Sequence, residues 1–335
     1  MIHIRQAKDA DIPRIMEFID EHWKHGHIMA VSREMFEFQH KPEQEVNYVI
    51  AEDSETGKLY GSVGYIVMSM QDGGVISQTM AISLKNDEGR LLAEEMDDFL
   101  RGKYTQSISP GLERRYAKFL DIMSDGKCVG TLSHYYRLGG RKKFRIAVIT
   151  NYQKLPVVYS HDTKFVIIDT FGIFKDKVCL REIKKMNPKR DMRYIKHRYF
   201  EHPFYKYKMF GIEKNGVIDS VIVAREQHVE QAKILRIVDY LGNDMQLAEC
   251  GSCLDKLIER NGYEYIDFYC YGIDSDIMRK AGFSVVKKND ENIIPNYFSP
   301  FVKENIEINF FAWDKNNIHV YRGFGDQDRP GKLIK

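Results

Sequence analysis

Residues 2–16, Ile2-His3-Ile4-Arg5-Gln6-Ala7-Lys8-Asp9-Ala10-Asp11-Ile12-Pro13-Arg14-Ile15-Met16, read as a strand that turns at once into a helix. Ile2 and Ile4 alternate with polar neighbours, the period of a half-buried strand. Asp9 and Asp11 stand where a helix takes its cap, and Ile12, Ile15, Met16 and Ile19 recur at the spacing of one helical face. Beyond this unit the pattern predicts a short helix around 33–38. Strands over 48–52 and 61–69 follow, joined by the turn Asp53-Ser54-Glu55-Thr56-Gly57, and then a strand over 76–84. A helix over 89–101 carries Leu91, Leu92, Met96, Phe99 and Leu100 on one face; strand 105–109, helix 112–123 and strand 128–136 complete the series.

The series then repeats. Phe38-Gln39-His40-Lys41-Pro42 precedes a strand, a turn and a strand; so does Phe200-Glu201-His202-Pro203, with strands over 209–213 and 217–225 about Asn215-Gly216. Strand 233–240, helix 250–260, strand 265–269 and helix 274–281 match 76–84, 89–101, 105–109 and 112–123 in order and spacing. Two tandem α/β (α+β layered) domains are expected, each a mixed, mostly antiparallel sheet flanked by helices: residues 1–150, and 151–335 with a C-terminal extension. The boundary falls near 150–160, where Asn151-Tyr152-Gln153-Lys154-Leu155-Pro156 interrupts the strand patterns. A length of 335 residues fits two such cores.

Composition excludes more than it selects. A formal net charge of +2 gives no bulk electrostatic case for DNA or a membrane surface. No run of eighteen apolar residues is present, the N-terminus lacks a signal-like segment, and five scattered cysteines suit a reducing compartment, so a cytoplasmic protein is expected. Between Arg181 and Arg198 eight Lys or Arg face two acids, which reads either as a solvated face or as a site for a phosphate-bearing ligand.

The opening Ile4-Arg5-x-Ala7-x-x-x-Asp11-Ile12-Pro13-x-Ile15 and the element order of 1–137 resemble the GCN5-related N-acetyltransferase superfamily. Arg198-Tyr199-x-x-His202-Pro203, Ala281-Gly282-Phe283 and the ending from His319 to Pro330 look like segments of acetyltransferase-like proteins of surface-polysaccharide biosynthesis. The resemblance implies an N-acyltransferase using acetyl-CoA or another acyl-CoA as co-substrate, with a small amine acceptor such as an amino sugar or sugar nucleotide. It places the acyl donor where the strand before the main helix splays from its neighbour, with Ile82, Leu84, Asn86, Gly89 and Arg90 as its binding residues. Orphan N–H groups at a helix start favour an anion there. Lys85-Asn86-Asp87-Glu88-Gly89-Arg90 departs from the family's glycine-rich sequence, and Tyr240-Leu241-Gly242-Asn243-Asp244 departs as far.

By the same resemblance Tyr116 is the general acid towards the leaving thiolate, against the alternative of a packed aromatic; its counterpart Met278 cannot transfer a proton. His134 or Glu52 would take the amine's proton. Candidate substrate contacts are His27 in the His22-Trp23-x-His25-x-His27 segment, Arg198, His202, Asp239, Asp267, His319, Arg322 and Asp326. The C-terminal run 321–329 reads equally as a surface tail with internal ion pairs. Cys250-Gly251-Ser252-Cys253 reads as buried helix-face thiols, and no metal site is expected. Two other functions remain open: a peptidoglycan-type aminoacyl transferase binding charged tRNA through 181–198, and a non-catalytic ligand-binding protein with degenerate domains.

Overall fold

The computed structural model describes residues 1–86, 91–140, 143–325 and 328–330. The first half runs β1 (Ile2–Gln6), α1 (Ile12–His22), α2 (Ile28–Val31), α3 (Arg33–His40), β2 (Tyr48–Asp53), β3 (Leu59–Ser69), β4 (Val75–Ser83), α4 (Ala93–Arg101), β5 (Gln106–Leu112), α5 (Arg114–Met123) and β6 (Val129–Leu138). The second half runs β7 (Thr163–Ile167), α6 (Phe171–Lys177), α7 (Leu180–Ile183), α8 (Met192–Ile195), β8 (Lys208–Lys214), β9 (Val217–Val229), β10 (Ala232–Leu241), α9 (Asp244–Leu247), α10 (Gly251–Asn261), β11 (Tyr265–Tyr271) and α11 (Ser275–Lys280). Five short strands follow: β12 (Ser284–Val285), β13 (Tyr297–Phe298), β14 (Phe301–Val302), β15 (Ile308–Ala312) and β16 (Val320–Tyr321).

Local chemistry sets the element ends. Asp11 accepts from the Lys8 N–H before α1, and Ser32 Oγ accepts from the Met35 N–H to cap α3. The Glu113 carboxylate takes the N–H groups of Arg115 and Tyr116 at the start of α5. Gly262, at φ 68°, closes α10 in the left-handed region where a side chain would be strained.

α1 to α3 lie on one face of the first sheet, where Ile12, Ile15, Ile19, Met35 and Phe36 pack on Tyr48, Ile50, Met80 and Ile82. α4 lies on the other, with Met96 and Leu100 against Val49, Ala51, Val63 and Ile76. Each such side chain contributes about 1.5–3 kcal/mol on full burial.

Among the described residues, fourteen strands join in one sheet, whose main path is β1-β2-β3-β4-β5-β15-β6-β11-β10-β9-β8-β7. Neighbours are antiparallel except β4 with β5 and β10 with β11. The halves exchange strands at the middle. β6 leaves the first half to pair with β11, Tyr265 opposite Leu138. Its place beside β5 is taken by β15, with Phe311 opposite Ser109 and Asn309 opposite both Leu112 and Thr131. Phe310 is fully buried where Gly130 on β6 leaves no side chain in its way. Strands from either side of residue 150 thus pair with one another at the centre of the sheet. No helix among the described residues is long and apolar enough to cross a membrane.

Candidate active site

The two parallel pairs have the same geometry. β4 and β5 are in register only at Val75 with Gln106, Ile76 with Ser107 and Ser77 with Ile108. β10 and β11 match only at Leu235 with Ile266, Arg236 with Asp267 and Ile237 with Phe268. Each pair then diverges. Each first strand also carries one extra residue just beyond its last pair: Ile82 faces Ser62 but Thr79 faces Gly64, and Ile237 faces Ala224 but Asp239 faces Val223. A bulge of this kind bends a strand away from its neighbour. Met80, at φ 48°, marks it in β4.

What occupies the two openings differs. In the second half the chain's own C-terminal segment enters: β16 pairs with β11, Cys270 opposite Tyr321, and the Gly323 N–H donates to Val238 O at 2.7 Å. Arg198 Nη2 donates to the carbonyls of Gly323 (3.3 Å) and Asp328 (2.8 Å), and the Asp328 carboxylate is held by Arg225 and Tyr207. In the first half the same segment touches the apex, where a Cβ on Gly325 would stand 2.9 Å from Ser77 Oγ and 3.5 Å from Pro110 Cδ, and Arg329 Nη1 reaches Met80 Sδ at the β4 bulge at 3.3 Å. No described strand bridges β4 and β5 beyond it. The C-terminal run is thus a sheet component rather than a surface tail. A Cβ on Gly323 would lie 2.7 Å from Val238 O. Gly323→Ala is therefore expected to cost about 1–3 kcal/mol by overpacking against backbone, read as a lower urea midpoint with earlier proteolysis of the C-terminal segment.

The donor-binding residues inferred from sequence fall around the first opening with one change. The Leu84 N–H donates to Tyr60 O at 2.8 Å, so it faces β3. Alternation turns Ile82 to the same neighbour, leaving the backbone groups of Ala81 and Ser83 directed at the opening. Asn86 is buried at the end of β4. Gly89 and Arg90 lie outside the described residues, and α4 begins at Ala93, four residues later than its spacing suggested. Glu94 and Glu95 occupy the first turn, where they oppose an anion.

Tyr116 is the third residue of α5, 46% exposed, with its ring stacked on Phe119. Burial and the Asp97 carboxylate on α4 push its phenol up. Asp97 in turn accepts from Gln78 Nε2 on β4 and Trp313 Nε1. Tyr116 therefore stands at the gap between α4 and α5, protonated at neutral pH.

The remaining candidates separate. Glu52 does not face the opening: Arg5 Nε (2.6 Å) and Arg14 Nη2 (2.9 Å) hold it at the β1/β2 edge, with Asp11 on the same guanidiniums. Burial raises its carboxyl, and the two arginines outweigh that and hold it below the usual range. Glu52→Gln is expected to cost about 1–2 kcal/mol and to leave any turnover unchanged, a split that urea unfolding beside a rate assay will show. Asp239 is fully buried on Arg190 and Tyr199, and Asp267 on Arg236 and His134, so both carboxylates are engaged within the protein. His319 pairs with Asp244 at 2.8 Å. His202 Nδ1 accepts from the Phe204 and Tyr205 N–H groups, and burial lowers its pKa to about 3. Arg198 is spent on the C-terminal segment, and Arg322 is buried beside Asn296. Asp326 lies outside the described residues.

His27 caps α2 by accepting from the Met29 N–H and has its pKa pushed to about 3 by burial; His25 instead pairs with Asp20, so the three histidines do not converge. The basic run 181–198 is not an open cationic face either. Arg190 and Arg198 are buried, Arg181 and Lys185 pair with Glu182, Arg193 with Glu43, and Lys196 with Glu201. Cys250 and Cys253 are buried thiols bonded to the carbonyls of Gln246 and Thr163.

A cleft of about 1060 Å³ opens between the halves, at the C-terminal end of β5. Its walls include Trp23, Gly111, Arg114, Thr131, His134 and Tyr297. Composition gave no hint of it, because its segments are far apart in sequence. His134 Nε2 meets the Asp267 carboxylate at 3.0 Å, and the ring stacks on Tyr269 at 3.7 Å. Asp267 is ionised by Arg236, so Nε2 carries the proton and Nδ1, without a partner, is the acceptor. Burial lowers the pKa of His134 against the opposing pull of Asp267, so the ring is neutral near pH 7.

No family model matches the chain, and no curated protein does. Solved structures share its fold. A GCN5-related N-acetyltransferase from Anabaena variabilis superposes with a TM-score of 0.55 at 10% identity, covering 93% of this chain and 72% of that one. A protein of unknown function from Enterococcus faecalis, described as a probable N-acyltransferase, gives 0.53 at 10% identity over the same shares. The layered α/β architecture is thus the acetyltransferase fold.

Proposed function

We propose that the chain is an acyl-CoA-dependent N-acyltransferase that holds its acyl donor in the first half, between β4 and β5. One observation carries this: β4 and β5 leave register after three pairs, with a Ser109 Oγ–Gln78 O hydrogen bond at 3.2 Å just beyond and no strand among the described residues between them, whereas the equivalent opening of the second half is filled by residues 320–323. The shared fold supports the same chemistry. One donor per chain follows.

In the reaction, the free amine attacks the thioester carbonyl. Backbone N–H groups of β4 around Ala81 and Ser83 donate to the developing oxyanion. Tyr116 gives its proton to the departing thiolate, and His134 Nδ1 receives the amine's proton through water. The cleft beside β5 takes the acceptor. Its exposed Trp23 and Tyr297, with Thr131, Ser133 and Asn289 nearby, suit the apolar faces and hydroxyls of an amino sugar or sugar nucleotide, and hence polysaccharide biosynthesis. The setting would be the cytoplasm, where acyl-CoA and free thiols both persist. We further assign residues 1–150 and 151–335 as the two duplicated units, joined by strand exchange.

A non-catalytic binding function has one point in its favour, the carboxylates of Glu94 and Glu95 at the start of α4. Most cations of the 181–198 run are buried or ion-paired, which gives tRNA no support. Titration calorimetry with acetyl-CoA decides: one equivalent bound per chain is expected, and no heat at millimolar ligand removes the acyltransferase assignment.

A further inference from the structure

Behind the cleft lies an imbalance of buried charge. Arg236 and Arg322 are both enclosed, at 1% and 5% exposure, and of the nearby buried carboxylates Asp267 is taken by Arg236 while Asp328, held by Arg225, acts on Arg322 only from beyond ion-pair distance. Arg236 takes it, through Nη2 at 2.5 Å and Nε at 3.0 Å, and also bonds the carbonyls of Asn296 and Pro295. The Arg322 guanidinium bonds only Asn296 Oδ1 among the described residues, and it rests 5.8 Å from the Tyr269 ring centroid. Among the described residues no carboxylate lies within ion-pair distance of it. Its Nε and the Asn296 Nδ2 have no hydrogen-bond partner among those residues, and neither has Nδ1 of His134, whose ring stacks on Tyr269. A guanidinium removed from water without an anion is costly, because desolvation is not offset by attraction.

The position adds direction. Tyr269 joins the cluster to the cleft: His134 stacks on its ring and its hydroxyl donates to Ile306 O, and both His134 and Ile306 line the cleft, as does Tyr297 next to Asn296. Two kinds of unfilled polar group therefore sit together. Arg322 and Asn296 offer donors to an oxyanion, and His134 offers a lone pair to a proton-bearing nitrogen.

We propose that Arg322 and Asn296 form an oxyanion site just behind the cleft wall made by His134, Tyr297 and Ile306, so that the acceptor is an amine that also carries a carboxylate or phosphate. The proposal rests on the cleft being the acceptor site, yet its test needs no acyl donor. Inorganic phosphate is titrated into the full chain at constant ionic strength, with acetate in a parallel series, and both melting temperature and heat are recorded. Wild type is expected to bind phosphate or acetate saturably; the tighter of the two identifies the anionic group. Arg322→Met is expected to weaken that binding at least about tenfold, the worth of a charge-assisted hydrogen bond. If that variant does not fold, Asn296→Leu must show the weakening. An indifferent wild type, or unchanged affinity in the folded variant, overturns the proposal. Acetyl-CoA binding is measured separately, so its absence with phosphate binding intact removes the acyltransferase assignment and leaves this site standing.

Discussion

Asp267→Ala is expected to lower folding stability by about 3–5 kcal/mol, the cost of removing one partner from a buried ion pair. Asp267 is fully buried on β11 and accepts from Arg236 on β10 and His134 on β6, so one carboxylate ties both halves together. Without it the Arg236 guanidinium stays enclosed beside Arg322, and two cations face each other with no anion between them. The size of the effect comes from that uncompensated charge rather than from the lost bonds. Asp267→Asn keeps the volume and some hydrogen bonding, so a loss nearly as large there identifies charge as the cause. Burial alone would raise the Asp267 carboxyl, but Arg236 and His134 outweigh it and hold it below its ordinary value. Its contribution is thus fully present above the ordinary carboxylate range near pH 4 and fades as pH falls below it. Urea midpoints of wild type and variant should converge in acid. Equal midpoints at pH 7 would mean that water reaches Arg236.

Much of the strand and helix order was legible because both halves punctuate their elements with local signals. Thr56-Gly57 and Asn215-Gly216 mark equivalent turns, and the apolar face of α1 shows its period in eight residues. The proposed duplication rests on order and spacing in the sequence, and three parallel pairs occur at each of two places in the sheet. What could not be read is long-range pairing. Ile308-Asn309-Phe310-Phe311-Ala312 looks like a strand, yet nothing local says that it lies between β5 and β6. Arg322 and Asp328 made the C-terminal run look solvated, whereas both are buried on partners far away in sequence. The same misreading affected 181–198 and Asp239. A charge is legible as buried only when its counterion is known, and Arg190–Asp239 spans 49 residues and Arg225–Asp328 spans 103. The bulges that open the two strand pairs are equally silent, since one extra residue in an apolar strand leaves no compositional mark.

Tyr116→Phe tests the chemistry itself. Turnover is expected to fall about a hundredfold, the lower end for a lost general acid, because a thiolate of pKa near 8.5 leaves tolerably without help. Acyl-CoA affinity should hardly change, since the ring and its contact with Phe119 remain. Stability should stay within about 0.5 kcal/mol, as for other half-exposed positions without buried partners. The pH profile separates proton transfer from packing. Burial and Asp97 push the phenol above its ordinary value near 10, so wild type keeps its acid through the neutral range and loses rate only in strong alkali. In the variant that alkaline limb should vanish while the acidic limb, set by the base and the amine, persists. A fall in rate with the alkaline limb intact would assign the effect to donor positioning. Undiminished turnover would leave Tyr116 as a surface aromatic and send the search for a proton donor to water held between α4 and α5.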